Sequence, residues 1–267
     1  MSLFDDFIAT ALIASLLVGL IGSYLGLFVV LRRVIFVGAA LAQLASAGVA
    51  VALLAEWPLA VGAGLLTFLG ASFFSVEPPG QRLPRDSWVA AAYAGSGAAA
   101  VLLLASAPHG EGHMQEILFG NILGVDLAEI SWMAAVFASV GILHMLASKE
   151  FRLTTFDPIM ARTLGYRVPL WNFGFFLTLG ATIAVATHAA GVLLVFSFLV
   201  FPPLTGLILS RRWWGAAAVS AASSVVASGA GVWASVRWDL PTGASIVAVS
   251  FGIFCAAVAL GKLTRRV

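Results

Sequence analysis

The sequence predicts an all-α, polytopic membrane protein with eight or nine transmembrane helices. Three observations predict it. Hydrophobic residues fill 61% of the 267 positions and charged residues only 10%, where a soluble domain carries about 25% charged residues. Apolar segments alternate with short gaps along the whole chain, and each is about the 20 residues that a helix needs to cross a hydrocarbon core of roughly 30 Å. Nearly all the positive charge falls in every second gap.

In order, the segments are 7–31, 34–54, 57–74, 88–107, 127–148, 169–188, 191–210, 214–236 and 242–261. The count falls to eight if one of the two weakest, 57–74 or 169–188, does not cross. Arg32 and Arg33 close the first segment and open the second. With nine crossings, Arg32, Arg33, Arg82, Arg85, Lys149, Arg152, Arg162, Arg167, Arg211, Arg212, Lys262, Arg265 and Arg266 share one side, and only Arg237 lies on the other. This 13-to-1 split assigns the richer side to the cytoplasm. The N-terminus, with Asp5 and Asp6, then faces outward and the C-terminus inward. The net charge of +2 therefore reports topology, and no nucleic-acid partner is expected. No cleavable signal peptide is expected at the start of the chain. Cys255 is the single cysteine, which excludes an intrachain disulfide. A Walker A pattern is missing too, so any ATP would be used by a partner. Positions 1–267 read as a single transmembrane domain.

Two gaps carry structure of their own. In the gap 147–168, Asp157-Pro158 reads as a helix start, an N-cap acceptor followed by proline at the first helical position. Two turns through Met160, Ala161 and Leu164 follow, and Gly165 stops them. Met160 and Leu164 share one face, which suits either a docking partner or membrane lipid at the interface. The outward gap, 107–126, holds His109, Glu111, His113 and Glu116, then an apolar run 117–125 too short to span. Within the spans, Gly22 and Gly26 have a spacing that lets helix backbones approach closely in lipid.

Five ordered motifs carry a family resemblance. They are Phe28-Val-Val-Leu-Arg-Arg33 with Gly38-Ala-Ala-Leu-Ala-Gln43 and Gly48; Leu118-Phe-Gly-Asn-Ile-Leu-Gly-Val125; Asp157-Pro158 with Ala161, Leu164 and Gly165; Gly191-Val-Leu-Leu-Val195 through Pro202-Pro203 to Arg211-Arg212; and Asp239-Leu-Pro-Thr-Gly243. In these the chain resembles the permease subunits of bacterial metal-ion ABC transporters, the zinc/manganese-type importers of the ABC-3 family. The resemblance implies an inner-membrane homodimer with a translocation path near the subunit interface, and alternating access powered by a cytoplasmic ATP-binding cassette ATPase. It implies a periplasmic or extracellular substrate-binding protein, and a divalent metal as cargo. The segment Asp157, Pro158, Met160, Ala161, Leu164 and Gly165 becomes the ATPase coupling helix. The chain itself would be neither an enzyme nor a holder of any cofactor.

One departure bears on the cargo. Typical members read G-D-A-L-S-H after the double arginine, an aspartate and a histidine on one helix face, both good ligands for a divalent ion. Here Ala39 and Gln43 stand at those positions. Ala39, Gln43 and Ser46 therefore mark the path by position, not by chemistry. The ion is held elsewhere, or the cargo is a chelated metal or another small solute, or the metal chemistry has been lost. His109 and His113 are the candidate metal ligands on the outer side, against the reading of a solvated glycine-containing loop. His188 reads as interfacial, Asp126 and Glu129 as caps of the fifth span. His144 lies inside an apolar span, where an ionisable group is either functional or bonded to a neighbouring helix. An ion-coupled secondary transporter would need more such groups, and a membrane hydrolase would need a nucleophile or paired-carboxylate motif.

Overall fold

The computed structural model describes residues 3–76, 83–106 and 122–264. His109 and His113 lie outside the described residues, as do Arg82, most of the apolar run 117–125, Arg265 and Arg266. All regular elements among the described residues are helices. They are α1 (Leu3–Leu31), α2 (Ile35–Leu54), α3 (Leu59–Ser75), α4 (Arg85–Ser106), a 3-10 turn (Ile122–Gly124), α5 (Leu127–Leu146), α6 (Ser148–Phe156), α7 (Pro158–Thr163), α8 (Val168–Leu209), α9 (Trp213–Trp238) and α10 (Thr242–Thr264). Seven of these are long and apolar enough to cross a membrane, and α3 is a shorter apolar helix of 17 residues.

The main difference from the sequence reading lies in α8. The expected spans 169–188 and 191–210 are not joined by a loop but form one helical run of 42 residues, interrupted only at Gly191 (φ 77, ψ 160). Phe175 packs on Phe28 and Asn172 bonds Arg32, so the first arm, 168–190, runs antiparallel to α1. Gly22 abuts Phe198, and Gly26 abuts Leu199 and Pro203, so the second arm, 192–209, runs parallel to α1. A straight helix would separate residues 175 and 198 by about 34 Å. Their α1 partners, Phe28 and Gly22, are only about 9 Å apart along the axis. The run therefore folds back on itself and supplies two crossings. Gly191 alone makes the reversal, in a backbone region that residues with a Cβ avoid. The sequence marks this point by Gly191, three residues after His188, with no polar loop between the two arms.

Close backbone approach holds the bundle together. A Cβ on Gly48 would overlap the Gly62 carbonyl, which fixes the α2–α3 crossing, and one on Gly26 would overlap the Leu199 carbonyl and the Pro203 ring. Pro202 and Pro203 lack the amides that would bond the carbonyls of residues 198 and 199, and α1 presents Gly26 to the second of these. The largest fully buried side chains include Phe28, Phe151, Phe175, Phe176 and Phe198, all on α1, α6 or α8. Ile122 and Val125, the described end of the run 117–125, are buried against α1, α8 and α10. That part dips into the bundle.

Candidate functional site

The basic residues of successive gaps meet at one end of the bundle. A tight turn, in which Arg33 adopts φ 58, links α1 to α2. Beside it the Arg32 guanidinium donates from Nε to Thr155 Oγ1 at 2.9 Å, from Nη1 to Asn172 Oδ1 at 2.7 Å and from Nη2 to Thr154 Oγ1 at 3.3 Å. It also lies 4.2 Å from the centre of the Phe175 ring. Asn172 Nδ2 donates onward to the Ser75 carbonyl at 2.9 Å. One arginine therefore ties α1 to α6 and α8, and one asparagine ties α8 to α3. Arg85 donates to the Phe74 carbonyl and lies over Phe176. Burial, and secondarily the charge of Arg85, pulls Arg32 down to about 10.

Helix α7 stands at the same end. Asp157 accepts from the Met160 amide at 2.8 Å, the expected N-cap. At the other terminus the Tyr166 amide bonds the Ala161 carbonyl and the Gly165 amide bonds the Arg162 carbonyl, with Gly165 at φ 85. This is a Schellman stop. Ala161 is fully buried and anchors the helix, whereas Ile159, Met160 and Leu164 are exposed. A helix of six residues is too short to persist without its caps, so cap and anchor together hold these three apolar side chains outward.

The three path positions separate. Ala39 borders a groove of about 550 Å³ between α2, α4 and the second arm of α8, with Phe36, Val89, Tyr93, Leu193 and Phe196 as walls. Among the described lining residues only Asp86 is charged. Gln43 lies against α4, where a Cβ on Gly97 would sit 3.4 Å from its amide oxygen. Ser46 is buried and donates to the Ala42 carbonyl at 3.1 Å, a contact within its own helix. Only Ala39 faces the groove.

The other candidates resolve into structural contacts. His144 is fully buried, stacked on Phe151 at 4.2 Å, with Nε2 2.9 Å from Thr178 Oγ1. The Thr178 hydroxyl donates to the Phe175 carbonyl, so its oxygen accepts from Nε2–H. This is the bonded-histidine reading. Asp126 Oδ1 accepts from the Glu129 amide at 2.6 Å and caps α5 as expected. The Glu129 side chain, expected as a second cap, instead places Oε1 3.7 Å from His188 Nε2 at the end of the bundle opposite Arg32. Among the described residues no three His, Cys, Asp or Glu side chains converge to hold a metal ion.

A model of the ABC 3 transport family matches residues 4–261. The chain belongs to that family. It is 31% identical over 264 residues to a "Probable iron transport system membrane protein" of Haemophilus influenzae, covering 98% of this chain and 96% of that one. It is 28% identical to the manganese transport system membrane protein MntC of Halalkalibacterium halodurans, over 97% and 90% of the two chains. The solved structure of PsaBC from Streptococcus pneumoniae in complex with Fab superposes with a TM-score of 0.85 at 23% identity, covering 94% of this chain and 90% of that one. That likeness concerns the fold.

In this ABC 3 member the sequence reading missed the role of Arg32 as a tie between helices. It treated all basic residues as topology markers. The signal was present, since Asn172 is an amide inside an apolar segment and Thr154-Thr155 form a polar pair directly before the short helix. None of these residues belongs to a motif, and only the fold brings them within bonding distance.

Proposed function

We propose that this chain is the membrane-spanning permease subunit of a binding-protein-dependent metal ABC importer in a bacterial inner membrane. Membership of the ABC 3 transport family over residues 4–261, with relatives named for iron and manganese transport, carries the reading. A cytoplasmic ATPase docks on Ile159, Met160 and Leu164, the apolar face that α7 holds out at the basic end. That end faces the cytoplasm by the positive-inside rule, which puts the N-terminus and the His188–Glu129 pair outside, where a binding protein delivers cargo. Two copies form the working permease, and ATP is used by the partner, so this chain needs no catalytic residues or cofactor.

Metal content of cells with and without the intact transporter, measured by elemental mass spectrometry over a panel of divalent ions, tests the cargo. Loss of manganese, iron or zinc accumulation on deletion is the expected result. An unchanged panel under metal limitation removes the free ion as cargo. A chelated metal is the second reading, and Ala39 favours it: apart from Asp86, the groove it borders is walled by apolar and aromatic side chains, which suits a neutral complex better than a bare cation.

A further inference from the structure

The end of the bundle opposite Arg32 carries a second cavity, of about 260 Å³, formed by the starts of α3 and α5 and the end of the first arm of α8. Small residues hold it open. Ala60 and Gly64 of α3 and Ala181 and Ala184 of α8 line it, and a Cβ added at Gly64 would meet nothing within 4 Å. Further in, α3 and α8 close up, where a Cβ on Gly180 would lie 3.1 Å from Ala71 and 3.3 Å from Thr67. Glu129 and His188 are the ionisable residues among the described lining. They come from different helices, and Glu129 Oε1 lies 3.7 Å from His188 Nε2. That is longer than a hydrogen bond. Among the described residues neither side chain has another hydrogen-bond or ion-pair partner.

We propose that Glu129 and His188 form a transient binding site for a divalent transition-metal ion on the outer face, with water completing the coordination. Two ligand atoms held about 2.0–2.2 Å from one ion at the tetrahedral angle lie about 3.3–3.6 Å apart, so a small adjustment lets this pair share a metal. The side chains are 38% and 28% exposed, which leaves the remaining positions of the ion open to water. One imidazole and one carboxylate, with no thiolate, suit manganese, iron or zinc better than magnesium or monovalent copper. Two protein ligands hold an ion weakly, and a station on a transport route must let its ion leave. The role as a first station for arriving cargo rests on the metal-importer reading; the capacity to bind the ion rests on the two side chains.

The test uses the full permease with its ATPase, stripped of metal by a chelator and titrated with Co²⁺, which quenches tryptophan fluorescence only at short range. Trp132 lines the same cavity and is the reporter; Trp132→Phe identifies its share among the eight tryptophans. The expected result is saturable quenching of that share in the wild type, displaced by Mn²⁺ or Zn²⁺ and not by Mg²⁺. Glu129→Gln and His188→Asn should each weaken it at least about tenfold at an unchanged melting temperature, since losing even a residue that only orients a ligand costs about 10–100-fold. Absence of saturable quenching in the wild type, or equal affinity in the wild type and both variants, overturns the proposal. So does a lower melting temperature with unchanged affinity, which marks a purely structural ion pair. If deletion leaves cellular metal content unchanged while Co²⁺ binding depends on Glu129 and His188, the site stands and the cargo reading falls. If deletion abolishes accumulation but the variants bind Co²⁺ like the wild type, the cargo reading stands and the site falls.

Discussion

Helices α1 and α4 are both apolar spans, yet their surroundings are opposite. In α1, 67% of the most apolar window is buried inside the molecule; in α4 the figure is 17%. Helix α1 packs against both arms of α8 and against α9, whereas α4 packs chiefly on α2. Hydrophobicity does not make the difference, because lipid is as apolar as a protein interior and gives no drive to bury an apolar helix. Small residues and polar ties make it. Helix α1 offers Gly19, Gly22 and Gly26 to Phe198, Leu199 and Pro203, and ends in the Arg32 network. On α4, a Cβ added at Gly95 would meet nothing within 4 Å, and Trp88, Tyr93 and Leu102 face outward. The α1 side is the fixed scaffold, and the α4 side is left for lipid, cargo or a second copy.

A matched pair of substitutions should break this contrast most sharply. Gly26→Leu drives a side chain into the Leu199 carbonyl and the Pro203 ring and should remove most folded protein, an overpacking cost of about 3 kcal/mol. Gly95→Leu on α4 should leave the yield and melting temperature unchanged, as read by fluorescence-detected size exclusion after heating. Gly191→Leu should also reduce folded protein, by about 1–3 kcal/mol for a side chain at this backbone conformation. Similar losses for Gly26→Leu and Gly95→Leu would show that the two helices are equally constrained.

Functional substitutions should separate from stability ones. Met160→Asp with Leu164→Asp places charge on exposed positions of α7; the ATPase should no longer co-purify while the permease keeps its melting temperature. Retained ATPase would mean that another surface couples. Ala39→Asp with Gln43→His should change the ion panel in transport assays, with the aspartate facing the groove. Unchanged selectivity would take this face out of the path. The smallest effect belongs to Thr178→Val, which deprives His144 Nε2 of its partner and should cost about 1–2 kcal/mol without altering transport.

Much of the fold was legible because lipid imposes a length on each segment and a charge bias on each gap. Helices α1, α2, α4, α5, α9 and α10 fall within a few residues of the expected spans. Caps were legible for the same local reason: Asp157, Gly165 and Asp126 act on backbone groups within a turn of themselves. The reversal beside Gly191 was legible as a break between the spans 169–188 and 191–210, but its form was not, because a turn made by one backbone angle leaves no loop between them. The groove was legible only through Ala39. Gln43 and Ser46 lie on the same helix, but the neighbours that divert them, Gly97 of α4 and the Ala42 carbonyl, are set by packing and by a local bond that span-level patterns do not encode.

The fold-back of α8 also has a mechanical meaning. Four residues, 164–167, separate α7 from the first arm, which is a rod of about 34 Å. That rod leads from α7 to the far side of the bundle, and after Gly191 the second arm returns, its Leu193 and Phe196 walling the groove. The surface at α7 and a wall of the groove thus belong to one unbroken run of chain, folded like a hinged ruler whose single joint is Gly191.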